Sequence, residues 1–291
     1  MAGQKKFLLV SRVGPKSLHH RWLDDTADRN FDVFLSSYSG SVDHLAQHGV
    51  QTEHRVGYKV EGYDGFLKDH AALWSSYDHI CFMDEDIDVD VASLNEMFGL
   101  CAQYNLKIAQ PSLTHDSHFS YAALLHQNPW KLRYVNFIEM MCPVFRVDIL
   151  AQIAPLYRMG YESGIDLIWC NAVFENETDF AVLDSVQICH TEPVGGQKSA
   201  NGFAGSKSYE DNIHAVLAQF KLPWFGCVPY AAVDRSGTIV RSRLRLKLAA
   251  LALAPCVFYR RPFAPRLRLF LVHLKHLQFS QPKNQSVQLP D

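Results

Sequence analysis

The stretch "YDHICFMDEDIDVD" (residues 77–90) decides how the chain folds. Four apolar residues, Ile80, Cys81, Phe82 and Met83, run straight into Asp84, Glu85, Asp86, Asp88 and Asp90. Carboxylates this dense repel one another unless they are solvated, cap a helix or face a cation. A calcium loop is excluded: Asp84, Asp86 and Asp88 match its first three ligand positions, but Val89 stands where glycine is required. Asn95 also stands where that loop needs a bidentate glutamate. A solvated, helix-capping turn explains Asp88 and Asp90, but not Asp84 and Glu85 on the end of a buried strand.

Outward from this stretch, short apolar runs alternate with helical periodicity. "KFLLVSRV" (6–13), "FDVFLSSY" (31–38) and "DHICFMD" (78–84) read as strands, with a loop and a helix between Pro15 and Asn30. "GFLKDHAALWSS" (65–76) and "VASLNEMFGLCAQYN" (91–105) read as helices, the second capped by Asp90. "LKIAQPSL" and "YVNFIEMMCPVF" follow as strands, then helices around 147–158 and 164–175, then the strand "FAVLDSVQICH" (180–190). This order predicts an α/β sheet, mostly parallel in its N-terminal half. "TEPVGGQKSANGFAGSKS" (191–208) reads as a long loop of the kind that covers a site.

The chain has 291 residues and a net charge of −2, which conceals an asymmetry. Eleven of the 28 Lys and Arg lie between Arg235 and Pro290, where no Asp or Glu occurs. Residues 1–234 keep the other 17 against 29 acidic residues, a net of −12. We therefore expect a catalytic domain over 1–234 and a basic extension over 235–291. Leu267, Phe270, Leu271 and Leu274 fall on one helical face of that tail, with Arg266, Arg268 and Lys275 on the rest. Such a helix suits a membrane surface; packing on the domain or in a homodimer interface is the alternative. No nucleic-acid motif accompanies these charges, and no nucleic-acid partner is expected.

The seven cysteines are odd in number, far apart and form no C-x-x-C pair, which argues against a disulfide framework or a thiolate zinc site. The N-terminus has only four consecutive apolar residues, too few for a signal peptide, and Ala2 stands where myristoylation needs glycine. The expected location is cytoplasmic, peripheral on the inner face of the membrane if the tail binds lipid.

Residues two apart on an extended backbone point the same way, so Asp84 and Asp86 converge. They do so at a strand's carboxyl end, where open α/β sheets bind ligands. Two carboxylates suit a hard cation such as Mn²⁺ or Mg²⁺. A strand ending in D-x-D after three β-α units resembles the nucleotide-sugar glycosyltransferases of the GT-A fold. Over roughly residues 6–196, "WSSYDHICFMDEDIDV", "IAQPSL", "NFIEMMCPVF", "GIDLIWC" and "VLDSVQICHTEPVG", in that order, resemble a domain-of-unknown-function family of plants and bacteria regarded as GT-A-like.

That resemblance implies a Rossmann-like central mixed sheet flanked by helices. It also implies metal-dependent transfer of a sugar from a nucleotide-sugar donor to a glycan or lipid-linked acceptor. Asp84, Asp86 and His190 would hold the metal. Ser11, Arg12, Asp84, Glu85 and Lys198 would contact the nucleotide sugar, with Lys207 a second candidate in the loop. Asp166 is the first candidate for a general base and Glu139 the second. Their plainer readings are a helix cap for Asp166 and, for Glu139, a buried ion pair with Arg133 or Arg146. Asp184 reads as structural. Trp74 and Trp169 belong to the core by spacing, whereas Trp130 is the candidate for stacking on an acceptor sugar. Two other functions use the same residues: a metal-dependent phosphoesterase, and a non-catalytic carbohydrate- or partner-binding module.

Overall fold

A computed structural model describes residues 6–23, 28–40, 49–193, 209–258, 263–280 and 282–289. Strand β1 (Phe7–Val13) is followed by a 3₁₀ turn (His19–Leu23), β2 (Phe31–Ser37), β3 (Gln51–His54), α1 (Lys59–Asp69), α2 (Ala71–Trp74) and β4 (His79–Met83). Then come β5 (Ile87–Asp88), α3 (Val91–Gln103), β6 (Ile108–Leu113), a second 3₁₀ turn (Ala122–Leu124), β7 (Trp130–Val135), β8 (Val144–Arg146), α4 (Val147–Tyr157) and α5 (Asp166–Ala172). The chain continues through β9 (Phe180–His190), α6 (Tyr209–Gln219), β10 (Pro229–Asp234), β11 (Ile239–Val240), α7 (Arg243–Leu251), α8 (Ala254–Phe258) and α9 (Phe263–Phe279).

The main sheet runs β11-β10-β7-β9-β6-β8-β4-β1-β2-β3, with β5 off this path on β9. The half from β3 to β4 is parallel, and β6 also lies parallel to β9. Strands β7, β8, β10 and β11 pair antiparallel, which makes the sheet mixed. Helices cover both faces because the pleat sends alternate side chains opposite ways. Phe82 stacks on Tyr63 of α1 at 4.3 Å and meets Tyr157 of α4 edge-on at 5.7 Å. On the other face Phe7 stacks on Phe98 of α3 at 5.0 Å.

The strands expected at 6–13, 31–38 and 78–84 form, and Asp90 caps α3 by accepting from the Ser93 N–H at 2.7 Å. The helix expected over 65–76 instead begins at Lys59 and breaks at His70 into α1 and α2. Between Pro15 and Asn30 the described residues form only the first 3₁₀ turn. One expected strand does not form in full. Within "YVNFIEMMCPVF" only the two ends are extended, as β7 and β8, while 136–143 is irregular. Its backbone serves other partners there: the Met141 and Pro143 carbonyls accept from Asp84 and Phe82, and the Glu139 N–H donates to Gln110 Oε1. Pro143 has no N–H to give a ladder.

The expected boundary at 234/235 falls in the turn of the β10–β11 hairpin, where Asp234 and Thr238 bond. Beyond it α7 packs on β10, and α9 packs on α7, α8 and the second 3₁₀ turn. Arg266 was expected on the solvated side of its helix. It is buried instead, donating to the Ser117 carbonyl at 3.0 Å and the His115 carbonyl at 2.5 Å. Trp130 is likewise no acceptor platform: it is 1% exposed, in a small core with Ala232, Val240, Leu246 and Ala249.

Candidate active site

The site lies at the carboxyl end of β4, where Asp84, Asp86 and His190 bring one ligand atom each to within 4.8 Å of one another. The sequence places them by a local device. The two-residue β5 pairs antiparallel with the end of β9, setting Ile87 opposite His190. Thr191 then clamps Asp86, donating to its carbonyl from both N–H and Oγ1 at 3.1 and 2.8 Å. Asp86 Oδ2 and His190 Nε2 come to 3.2 Å.

A loop on the far side orients the imidazole. His190 Nδ1 donates to the His118 carbonyl at 3.0 Å, and the His190 N–H donates to Ser117 Oγ at 3.2 Å. That backbone bond leaves Nε2 as the nitrogen facing the two carboxylates, the tautomer a metal ligand requires. The donor set therefore fits a hard divalent cation. Burial alone disfavours the imidazolium, but the Asp86 hydrogen bond and the Asp86 and Asp84 charges raise His190 to about 9.

Three further groups border the cluster. Lys59, the first residue of α1, pairs with Asp84 and donates to the Met140 carbonyl at 2.9 Å. Its helix start is fixed by Glu162, whose carboxylate accepts from the Val60 and Glu61 N–H groups at 2.9 and 3.1 Å. Glu139 is pushed up to about 7 by burial and by the charge of Asp166. Neither expected arginine neutralises it: Arg133 holds Asp184, and Arg146 holds Asp148. Its Oε2 is buried without a hydrogen-bond partner. Asp166 is raised to about 6 by burial, with Lys59 and backbone hydrogen bonds pulling the other way. It is the first residue of α5, after the N-cap Ile165. Backbone hydrogen bonds from that helix start, Asp166 and Leu167, reach its carboxylate, as its plainer reading expects. Gly164 just before it has φ +89°, and a Cβ there would come within 3.0 Å of the Ile213 backbone, so this turn needs glycine to seat α6.

Other expected site residues have structural neighbours. Ser11 is fully buried and donates to the Met83 carbonyl at 2.8 Å, tying β1 to β4. Arg12 donates to Ser36 Oγ at 2.8 Å and to the Gly57 carbonyl at 2.9 Å. Glu85 turns away from Asp84, accepting from the Gly14 N–H and from the Tyr38 hydroxyl, both at 2.5 Å. Glycine at 14 lets the Tyr38 ring come in where a Cβ would clash at 2.2 Å. Lys198 and Lys207 lie outside the described residues. Sequence reasoning passed over Lys59, because a lysine between Tyr58 and Val60 carries no motif; its role comes from where α1 starts.

No protein-family profile matches the sequence, and no curated protein matches it. Among solved structures, the chain is similar to S. aureus TarS 1–349 in complex with UDP-GlcNAc, at 12% identity and TM-score 0.49, over 94% of this chain and 73% of that one. It is also similar to GalNAc-T7 with UDP, GalNAc and Mn²⁺, at 9% identity and TM-score 0.51, over 75% of this chain and 48% of that one. The fold is that of the GT-A-type glycosyltransferases.

Proposed function

We propose that this chain is a nucleotide-sugar-dependent glycosyltransferase that works with a divalent cation. The observation that carries the reading is the convergence of Asp84, Asp86 and His190 at the end of β4 on a GT-A-type sheet. A similar protein, GalNAc-T7, has been crystallised with UDP, GalNAc and Mn²⁺. Bound by Asp84, Asp86 and His190, Mn²⁺ or Mg²⁺ would act as a Lewis acid against the negative charge that develops on the diphosphate leaving group.

The remaining work falls to the chain's own groups. Lys59 holds Asp84 in place and brings a positive charge beside the diphosphate. Glu139 and Asp166 form the acid pair for an acceptor hydroxyl. With a free oxygen and a pKa near 7, Glu139 is suited to take the proton at neutral pH. Asp166, lower and held by backbone bonds, orients the acceptor beside it. This reverses the order expected from sequence. The acceptor is a glycan or a lipid-linked sugar, and Ser11 and Arg12 serve by fixing the strand ends beneath the donor.

The test is a thermal-shift screen of nucleoside diphosphates and nucleotide sugars, with and without Mn²⁺. A rise in Tm for one nucleotide that requires Mn²⁺, and that vanishes in Asp86→Ala, is the expected result. An equal rise in the variant defeats the proposal.

A further inference from the structure

Helix α7 is apolar on two opposite sides. Leu246, Ala249 and Ala250 face the interior, as a helix packed on β10 requires. Leu244, Leu248 and Leu251 recur at i, i+4 and i+7 on the opposite side, and they are 67%, 56% and 47% exposed. A packed helix needs one apolar stripe, so the second is not explained by the fold. Helix α9 runs antiparallel beside it: Arg243 donates to the Ser280 carbonyl at 2.8 Å and Lys247 to Gln278 Oε1 at 3.0 Å. The outer side of α9 carries Leu271, Val272 and Phe279, which are exposed, interleaved with exposed Arg268 and Lys275. The expected face of α9 is thus divided: Phe270 is buried and Leu271 is exposed.

We propose that the paired outer faces of α7 and α9 form a docking surface for an anionic lipid bilayer. Charge selects this occupant. Arg245, Arg268 and Lys275 are the exposed charges on α7 and α9, and neither helix carries an acidic residue. A second copy meeting this face across a two-fold axis would set cations against cations, whereas phosphate headgroups neutralise them. The interleaving of leucine with Arg and Lys allows the apolar side chains to enter the headgroup–acyl boundary while the charges stay at phosphate level. Among the described residues no helix is long and apolar enough to cross a membrane. The contact is therefore with the surface.

The test is co-sedimentation of the full chain with phosphatidylcholine vesicles with and without phosphatidylglycerol, at low and high salt. It needs neither cation nor donor, so its outcome is separate from that of the transferase reading. The wild type is expected to pellet only with the anionic vesicles and to be released by salt. Combined Leu244→Ser, Leu248→Ser and Leu251→Ser, at positions already open to water, should weaken binding at least about tenfold. Arg268→Glu with Lys275→Glu should weaken it too, while circular dichroism stays unchanged. Wild-type protein that remains in the supernatant, or serine variants that pellet equally, overturns the proposal. So does light scattering that finds a dimer which the serine changes convert to monomer.

Discussion

Asp184 and His190 stand on the same strand, yet the buried charge around them is settled in opposite ways. Around Asp184 every charge has its partner. Arg133 meets both carboxylate oxygens, at 2.7 and 3.0 Å, and gives its other N–H groups to the Ala123 and Leu125 carbonyls. The Gln127 N–H completes the shell at 2.9 Å. Around His190, the cations that Asp84, Asp86, Glu139 and Asp166 face among the described residues are Lys59 and the imidazole itself. Burial, helped by the charge of Asp166, raises Glu139 to about 7, and burial raises Asp166 to about 6. The first cluster holds the fold together. The second is short of positive charge, and a divalent cation is the simplest remedy.

The difference is sharpest if each cluster loses one member. Arg133→Met strands Asp184 in the core and should cost about 3–5 kcal/mol of stability by chemical denaturation. Asp86→Ala, measured at pH 7 without added cation, should cost less, about 2–3 kcal/mol, because it removes the charge that holds His190 near 9 but leaves a group that can shed its proton, as Arg133 cannot. Equal losses would erase the distinction.

Next in size is the pH dependence. The folded pKa of Glu139, about 7, lies above its ordinary 4.5. The folded state therefore binds this proton more tightly. Its contribution to stability is full below about 4.5 and is lost as the pH rises through 7. Glu139→Gln should remove that loss, leaving the variant more stable than the wild type above pH 7 by up to about 3 kcal/mol. Parallel Tm–pH curves for the two proteins would show Glu139 to be matched like Asp184.

The smallest effect comes from the same acidic run, outside both clusters. Asp90→Ala removes only the cap of α3 and should lower stability by about 1 kcal/mol, with no change in cation binding. A change in cation affinity would extend the site further along the run than its geometry implies.

The acidic run from Asp84 to Asp90 thus has several fates. Asp84 and Asp86 converge with His190 at the proposed cation site, Glu85 braces Gly14 and Tyr38, Asp88 pairs with Arg21 at 2.8 Å, and Asp90 caps a helix. The first pair converges, but not by the expected alternation along an extended backbone: β4 ends at Met83 and residues 85 and 86 form a turn. A capping pattern made the last legible. In the parallel half β1, β2 and β4 were legible too, as apolar runs, whereas the edge strand β3, Gln51–His54, is polar and was not. What sequence could not supply is the meeting of distant segments. Lys59 reaches Asp84 only because α1 begins there, and 136–143 leaves the sheet because its backbone is engaged elsewhere. Trp130 sits in a polar stretch, but β10, β11 and α7 arrive from the far end of the chain to bury it.

The central claim is that one divalent cation binds at Asp84, Asp86 and His190. The most direct measurement is a Mn²⁺ titration followed by electron paramagnetic resonance, in which bound Mn²⁺ loses the sharp signal of the free ion. The account predicts one site per chain in the wild type and in Asp90→Ala, with affinity at least about a hundredfold weaker in Asp86→Ala and in His190→Ala. Undiminished binding in both of these variants would place the cation elsewhere and contradict the account.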